Sequence, residues 1–213
     1  MLNIHTLSVG PMGNLVYIIA DSVSLKAAVI DPAWDVNAIV KCLNDHHYSL
    51  DKILLTHAHF DHVNVLIPLL SQFNVPTYVS AHETEVLMDP IKSVQFIFTE
   101  DKDVILLGEL SIKCIYTPGH TPGGQCFYSE PHLFTGDTLF VGACGRCDFP
   151  YSDLAKMYQS LSVTLASLPE DTVIYPGHDY GETPTDTIGH QKKTNPYMKM
   201  GGEDRFSRIR SGV

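Results

Sequence analysis

Positive charge is scarce in this sequence. Lys and Arg number 14 against 24 Asp and Glu over 213 residues, a formal net charge of −10. Nucleic-acid affinity comes mostly from basic side chains on phosphate, so a nucleic-acid-binding role is excluded. Long apolar runs are missing too: none approaches the roughly 20 residues of a membrane helix, so no membrane partner is expected. The opening residues, MLNIHTLSVG, lack a basic stretch followed by an apolar one, so no secretory signal is expected. The five cysteines cannot all pair and do not form a disulfide framework in a chain this long. The expectation is a reduced, cytoplasmic protein. Low-complexity segments and linkers are absent as well. With 44% hydrophobic and 18% charged residues, residues 1–213 read as one globular domain with a sizeable core.

What the sequence does have is histidine, eleven in all. Their setting follows from the pattern of elements. Short apolar or β-branched runs at 3–9, 15–20 and 26–30 read as strands. Residues 36–44 have helical spacing, with Val36, Ile39, Val40 and Leu43 on one face. A buried strand is expected at 52–56, a helix at 62–73, a strand at 76–80 and a helix from about Ala81. Further strands are expected at 111–117, 125–128, 132–135 and 172–175. Ser152 is expected to cap a helix running to about Leu168, with Leu154, Met157, Leu161 and Leu165 as its stripe. Thr183-Pro184 is expected to start a last short helix. Strands and helices mix without strict alternation, which points to an α/β (α+β) fold of sheets with helices packed outside.

Four loops carry the chemistry, each after a short apolar strand. They are Thr56-His57-Ala58-His59-Phe60-Asp61-His62, Thr117-Pro118-Gly119-His120, Gly136-Asp137 and Pro176-Gly177-His178. Strand ends give a rigid base and loops give freedom of aim. A glycine before His120, Asp137 and His178 lets the chain turn sharply toward a centre. In an extended loop, alternation points His57, His59 and Asp61 one way and His62 another, toward a second centre. Imidazole and carboxylate suit zinc, iron or manganese. Structural zinc sites are usually closed, four-coordinate and often Cys-rich. Seven N and O donors without thiolate therefore argue against a non-catalytic metal-binding protein.

The HxHxDH motif followed by distant His, Asp and His resembles the metallo-β-lactamase superfamily. The likeness runs from the Asp31 strand end to Asn195-Pro196-Tyr197. The stretch GDTLFVGACGRCDFP is similar to that of glyoxalase II-like hydrolases. The resemblance implies a four-layer αββα sandwich with metals at one edge of the two sheets. It implies one metal on His57, His59 and His120, a second on Asp61, His62 and His178, and Asp137 between them. Some features depart from the pattern. Asn64-Val65 stands where relatives often have Gly-Gly. Asp137 stands where true β-lactamases commonly have Cys, which counts against antibiotic hydrolysis. The chain runs about 35 residues past His178, so the long C-terminal helical region of full-length glyoxalase II, which grips glutathione, is not expected.

The implied activity is hydrolysis of a small-molecule thioester, with a glutathione conjugate, S-D-lactoylglutathione, as test substrate. Two divalent ions, zinc first and iron or manganese as alternatives, would share a hydroxide. Asp61 would also handle its proton as the catalytic carboxylate. A thiol of pKa about 8.5 leaves without an acid. The alternative is a persulfide dioxygenase acting on glutathione persulfide. It would hold one Fe(II) on His57, His120 and Asp137, and such enzymes share the stretch at Gly145, Arg146, Asp148 and Phe149.

Other residues stay open between two roles. Arg146 fits a substrate carboxylate or a pair with Asp148. Tyr180, at the place of a substrate-contacting Tyr in glyoxalase II, fits substrate contact or packing. Asp31 fits support of the HxHxDH loop or an Asx-turn. Cys144 and Cys147 have CxxC spacing but no second CxxC, and two ordinary loop thiols is the favoured reading. Cys114 and Cys126 are expected in the core. His5, His46, His47, His82, His132 and His190 match no ligand position. The last 22 residues carry 6 basic and 2 acidic side chains. Lys192, Lys193, Lys199, Arg205, Arg208 and Arg210 form an anion-binding rim, a surface that pairs with an acidic neighbouring subunit, or a solvated tail. The sequence carries no sign of oligomeric state.

Overall fold

The computed structural model describes residues 1–199. The chain opens with β1 (Leu2–Val9), β2 (Asn14–Asp21), β3 (Lys26–Ile30), α1 (Val36–Asp45) and β4 (Ser49–Leu54). Two short helices follow, α2 (Phe60–Val63) and α3 (Leu66–Leu70), then β5 (Thr77–Ser80) and β6 (Phe96–Thr99). These six strands form one sheet in sequence order. Its first pairings are antiparallel, and those from β3 to β6 are parallel.

The second sheet is built from β7 (Val104–Leu107), β8 (Leu110–Tyr116), β9 (Gln125–Ser129) and β10 (His132–Gly136). A small ribbon of β11 (Leu139–Phe140) and β12 (Ala143–Cys144) leads to α4 (Leu154–Gln159). Then come β13 (Val173–Pro176), β14 (Asp186–Thr187) and α5 (Ile188–Thr194). The sheet order is β14-β13-β10-β9-β8-β7, with β10 and β13 parallel.

The layering follows from strand alternation. In β2 every residue is buried. Leu15, Tyr17 and Ile19 enter the core between the sheets, against Ile112, Phe127 and Phe134. Val16, Ile18 and Ala20 face the other way, against Ile39, Leu43, Leu66 and Leu69 of α1 and α3. A third core packs Leu133 and Ile174 against Met157, Leu161, Leu165 and Ile188. Sheets covered on both faces need strands apolar on both faces, which is why β2 and β3 read as continuous runs. The result is the four-layer αββα arrangement that the resemblance implied.

Several element expectations need correction. The helix expected at 62–73 breaks between α2 and α3, where Asn64 Oδ1 accepts from Trp34 N at 2.7 Å. The helix expected from Ala81 is one 3-10 turn, Ala81–Glu83, because Glu83 turns inward to a buried position. Asp153, not Ser152, caps α4 by accepting from Lys156 N. The Ser152 hydroxyl instead donates to Phe149 O. Past Gln159 this helix continues as a π turn and a 3-10 turn to Ser167. Thr187, not Thr183, caps α5. Strands β6 and β7 escaped the reading because each has four residues and is half-exposed at a sheet edge.

Candidate metal centre

The strand ends of both sheets deliver the seven expected side chains to one place. His57 and His59 follow β4, Asp61 and His62 sit on α2, His120 follows β8, Asp137 follows β10 and His178 follows β13. One nitrogen each of His57, His59 and His120 lie within 4.8 Å of one another, and so do donor atoms of Asp61, His62 and His178. Asp137 lies between the groups. Its Oδ1 is 3.3 Å from His62 Nε2, and its Oδ2 is 3.4 Å from both His120 Nε2 and His178 Nε2.

Simple alternation misplaced one residue. It put Asp61 with His57 and His59. The extended backbone ends at His59, the N-cap of α2, so Asp61 turns toward His62 Nε2 (3.6 Å) and His178 Nε2 (3.4 Å).

Outer hydrogen bonds aim the rings. His120 Nδ1–H donates to Arg146 O at 2.7 Å and His178 Nδ1–H to Met12 O at 3.0 Å. His62 Nδ1–H donates to Asp31 Oδ2 at 3.1 Å. His57 Nδ1 lies 3.0 Å from Thr56 Oγ1, whose own proton goes to Asp31 Oδ2, so the imidazole is the donor there. A carbonyl or carboxylate on Nδ1 fixes the tautomer and leaves Nε2 as a lone pair facing inward. Among the described residues, His57 Nε2, His120 Nε2 and Asp137 Oδ1 are buried without a hydrogen-bond partner. Orphaned buried polar atoms are costly, and here they are the donor atoms an ion would take. The residues therefore fit a metal.

The electrostatics divide the site. Burial, with His62 nearby, holds the His57 pKa well below the usual imidazole range. Burial and His120 bring His59 down to about 4, and burial lowers His120. His62 and His178 move the other way. Burial pulls each down, but Asp137 outweighs it and raises both. Asp137 is held well below the carboxylate range, because His62, His178 and His57 outweigh its burial.

Backbone shape permits this convergence. Gly136 has φ +48°, and a Cβ there would meet the Thr56 side chain. At Gly177 a Cβ would lie 2.5 Å from Asp137 Oδ1 and 2.9 Å from His62 Cε1. The side-chain hydrogen of glycine is what leaves room for the donors.

Asp31 supports the HxHxDH loop: it accepts from Thr56 N at 2.7 Å and Thr56 Oγ1 at 2.6 Å, besides His62. Arg146 makes a bidentate pair with Asp148 and lies over the Phe149 ring at 4.6 Å. Phe149 in turn packs edge-on to His59 and His120. Tyr180 stacks on His178 with centroids 4.7 Å apart and is 55% exposed, at the mouth of the site. Cys114, Cys126 and Cys144 are buried. Lys192 and Lys193 lie near Glu170, while Arg205, Arg208 and Arg210 fall outside the described residues.

Three supports had no sequence signal. Asn14 Nδ2 donates to Asp61 O and Oδ2, both at 3.0 Å, and Trp34 Nε1 donates to Asn14 Oδ1. Glu83 accepts from Ala58 N at 2.9 Å and Gly123 N at 2.7 Å, joining the loops of His57–His59 and His120. Thr56 relays Asp31 to His57.

A family model described as the metallo-beta-lactamase superfamily matches residues 9–178. A probable polyketide biosynthesis zinc-dependent hydrolase, PksB of Bacillus subtilis, is 33% identical over 198 residues, covering 93% of this chain and 87% of that one. A probable hydroxyacylglutathione hydrolase of Schizosaccharomyces pombe is 34% identical over 228 residues, covering 90% and 85%. The crystal structure of ETHE1 from Myxococcus xanthus superposes with a TM-score of 0.90 at 26% identity, over 98% of this chain and 90% of that one.

Proposed function

The chain belongs to the metallo-beta-lactamase superfamily, and we propose that it is a metal-dependent hydrolase of small thioesters. The observation that carries this reading is the pair of adjoining donor groups, His57/His59/His120 and Asp61/His62/His178, with Asp137 between them. The reading assigns one divalent ion to each group, zinc first, and the zinc-dependent relative supports that choice. It takes residues 1–213 as one catalytic unit, which the family match over 9–178 supports. Among the described residues no helix is long and apolar enough to cross a membrane.

Bound in these groups, divalent ions supply a water of lowered pKa and polarise an acyl carbonyl. The chain's own side chains do the rest. The Asp61 carboxylate, held by Asn14 Nδ2 on Oδ2, would take the proton of the attacking water. Asp137, placed between the two groups, would offer its carboxylate to the ions as a further ligand. A thiolate departs without a proton donor, because a thiol pKa of about 8.5 is near neutrality. A cleft of about 720 Å³ adjoins the site at Tyr180 and continues along Val141, Glu182, Asp186 and His190. That volume lies in the range of small-molecule sites. The hydroxyacylglutathione hydrolase relatives support a glutathione conjugate as that arm.

The test is thiol release by zinc-loaded protein from S-D-lactoylglutathione and a series of other acyl-thioesters. Turnover of at least one, lost in Asp61→Asn, is expected. No release from any of them sinks the reading. A second reading, a mononuclear iron persulfide dioxygenase on His57, His120 and Asp137, is favoured by the ETHE1 superposition. One iron per chain and O₂ uptake with glutathione persulfide would select it instead.

A further inference from the structure

We propose that the protein carries a second, separate metal site on Cys42, His46 and His5. It suits a borderline-soft divalent ion such as zinc, and it staples the end of α1 to β1.

None of these three residues belongs to the catalytic group. Cys42 lies in the last turn of α1 and His46 caps that helix, its N–H donating to Cys42 O at 3.3 Å. Residues four apart on a helix stand one above the other, so the thiol and this imidazole share one face. His5 comes from β1, the edge strand of the first sheet. Its ring centroid is 3.9 Å from that of His46, with planes 33° apart. One donor atom from each residue lies within 4.8 Å of the other two. Two different elements thus bring one sulfur and two imidazole nitrogens into one small cluster.

The surroundings favour binding. Tyr48 OH lies 3.0 Å from His5 Nε2 and accepts from Asn3 Nδ2 at 3.1 Å, which fixes the His5 ring. Cys42 ligates as the thiolate, so binding of an ion releases a proton to solvent. His46 is exposed, His5 and Cys42 are half-buried, and the ion enters from the solvent side. One thiolate and two imidazoles suit zinc, with a water in the fourth position.

Cobalt(II) separates this site from the catalytic one. The catalytic set has only nitrogen and oxygen donors, so a thiolate-to-cobalt charge-transfer band in the near ultraviolet reports sulfur ligation elsewhere. Metal-free protein titrated with cobalt(II) is expected to develop that band, and Cys42→Ser to lack it. Equilibrium dialysis is expected to find one zinc per chain fewer in Cys42→Ser than in wild type. His46→Ala, at an exposed position outside the core, is expected to weaken the band at the same cobalt concentration while the fold persists. Absence of the band in wild type, its persistence in Cys42→Ser, or equal zinc content in the two proteins overturns the proposal. These readouts do not depend on which substrate the enzyme hydrolyses.

Discussion

Glu83 is far from obvious as a determinant of metal binding, yet it joins the two loops that hold His57, His59 and His120. It is fully buried, with Oε2 on Ala58 N and Oε1 on Gly123 N. Truncation to Ala would leave two buried N–H groups without an acceptor. At about 1–3 kcal/mol each, the cost of about 2–6 kcal/mol compares with a total stability of roughly 5–15 kcal/mol. Glu83→Gln is the cleaner perturbation. The amide keeps the shape and one acceptor oxygen, but turns an NH₂ toward the other N–H. Burial raises the Glu83 pKa against the pull of these donors, so the cost of burying charge already offsets part of the gain. The expected loss is therefore that of one buried bond, about 1–3 kcal/mol. Because both loops loosen, zinc affinity is expected to fall about 10–100-fold, as for other residues that orient metal ligands. Urea unfolding of metal-free protein measures the first quantity, and competition with a zinc chelator the second. Glu85, exposed just past the same turn, is the control, and Glu85→Gln is expected to change neither. If Glu83→Gln matches wild type in both assays, the clamp does not position the metal loops.

Three further outcomes are expected. Asp31→Asn removes the charge facing His62 and an acceptor for Thr56. A loss of about 10–100-fold in metal affinity is expected by chelator competition, and unchanged affinity would show that Asp31 serves only its own turn. Gly177→Ala places a methyl group 2.5 Å from Asp137 Oδ1, so metal analysis is expected to find fewer ions per chain, and wild-type content would contradict the cradle. Asp21 accepts from Ser24 Oγ, Ser24 N, Val23 N and Glu109 N, and its pKa falls from 3.8 to about 2, chiefly through the Ser24 hydroxyl. A depressed folded pKa means this stability is present above the unfolded value and is lost as pH falls toward 2. The urea-midpoint gap between wild type and Asp21→Asn is expected to shrink from pH 5 to pH 2, and a constant gap would refute it.

Much of the metal centre was legible from residue order, because its ligands sit where apolar strands stop. A run such as Ile53-Leu54-Leu55 announces a buried strand, and a His or Asp just after it has a rigid base. The double-sided burial of β2 was legible as an unbroken apolar run. The side to which Asp61 points was not. It depends on whether the backbone stays extended past His59, and period-two alternation ends where α2 begins. The six other histidines looked alike in the sequence, yet the structure sets His5 against His46 and Cys42 while His132 meets Tyr175.

The sequence by itself determined the family, the donor chemistry and the strand ends that carry it, since these rest on residue type and local hydrophobic pattern. Only the tertiary structure decided which nitrogen of His62, His120 and His178 faces the centre. That choice is made by partners distant in the chain: Met12 for His178, Asp31 for His62 and Arg146 for His120. It also decided that Arg146 is held by Asp148, and that Glu83 and Asn14 brace loops 25 and 47 residues away. Hydrogen bonds of this kind form only after the sheets have stacked, because burial, not sequence proximity, brings their donors and acceptors together.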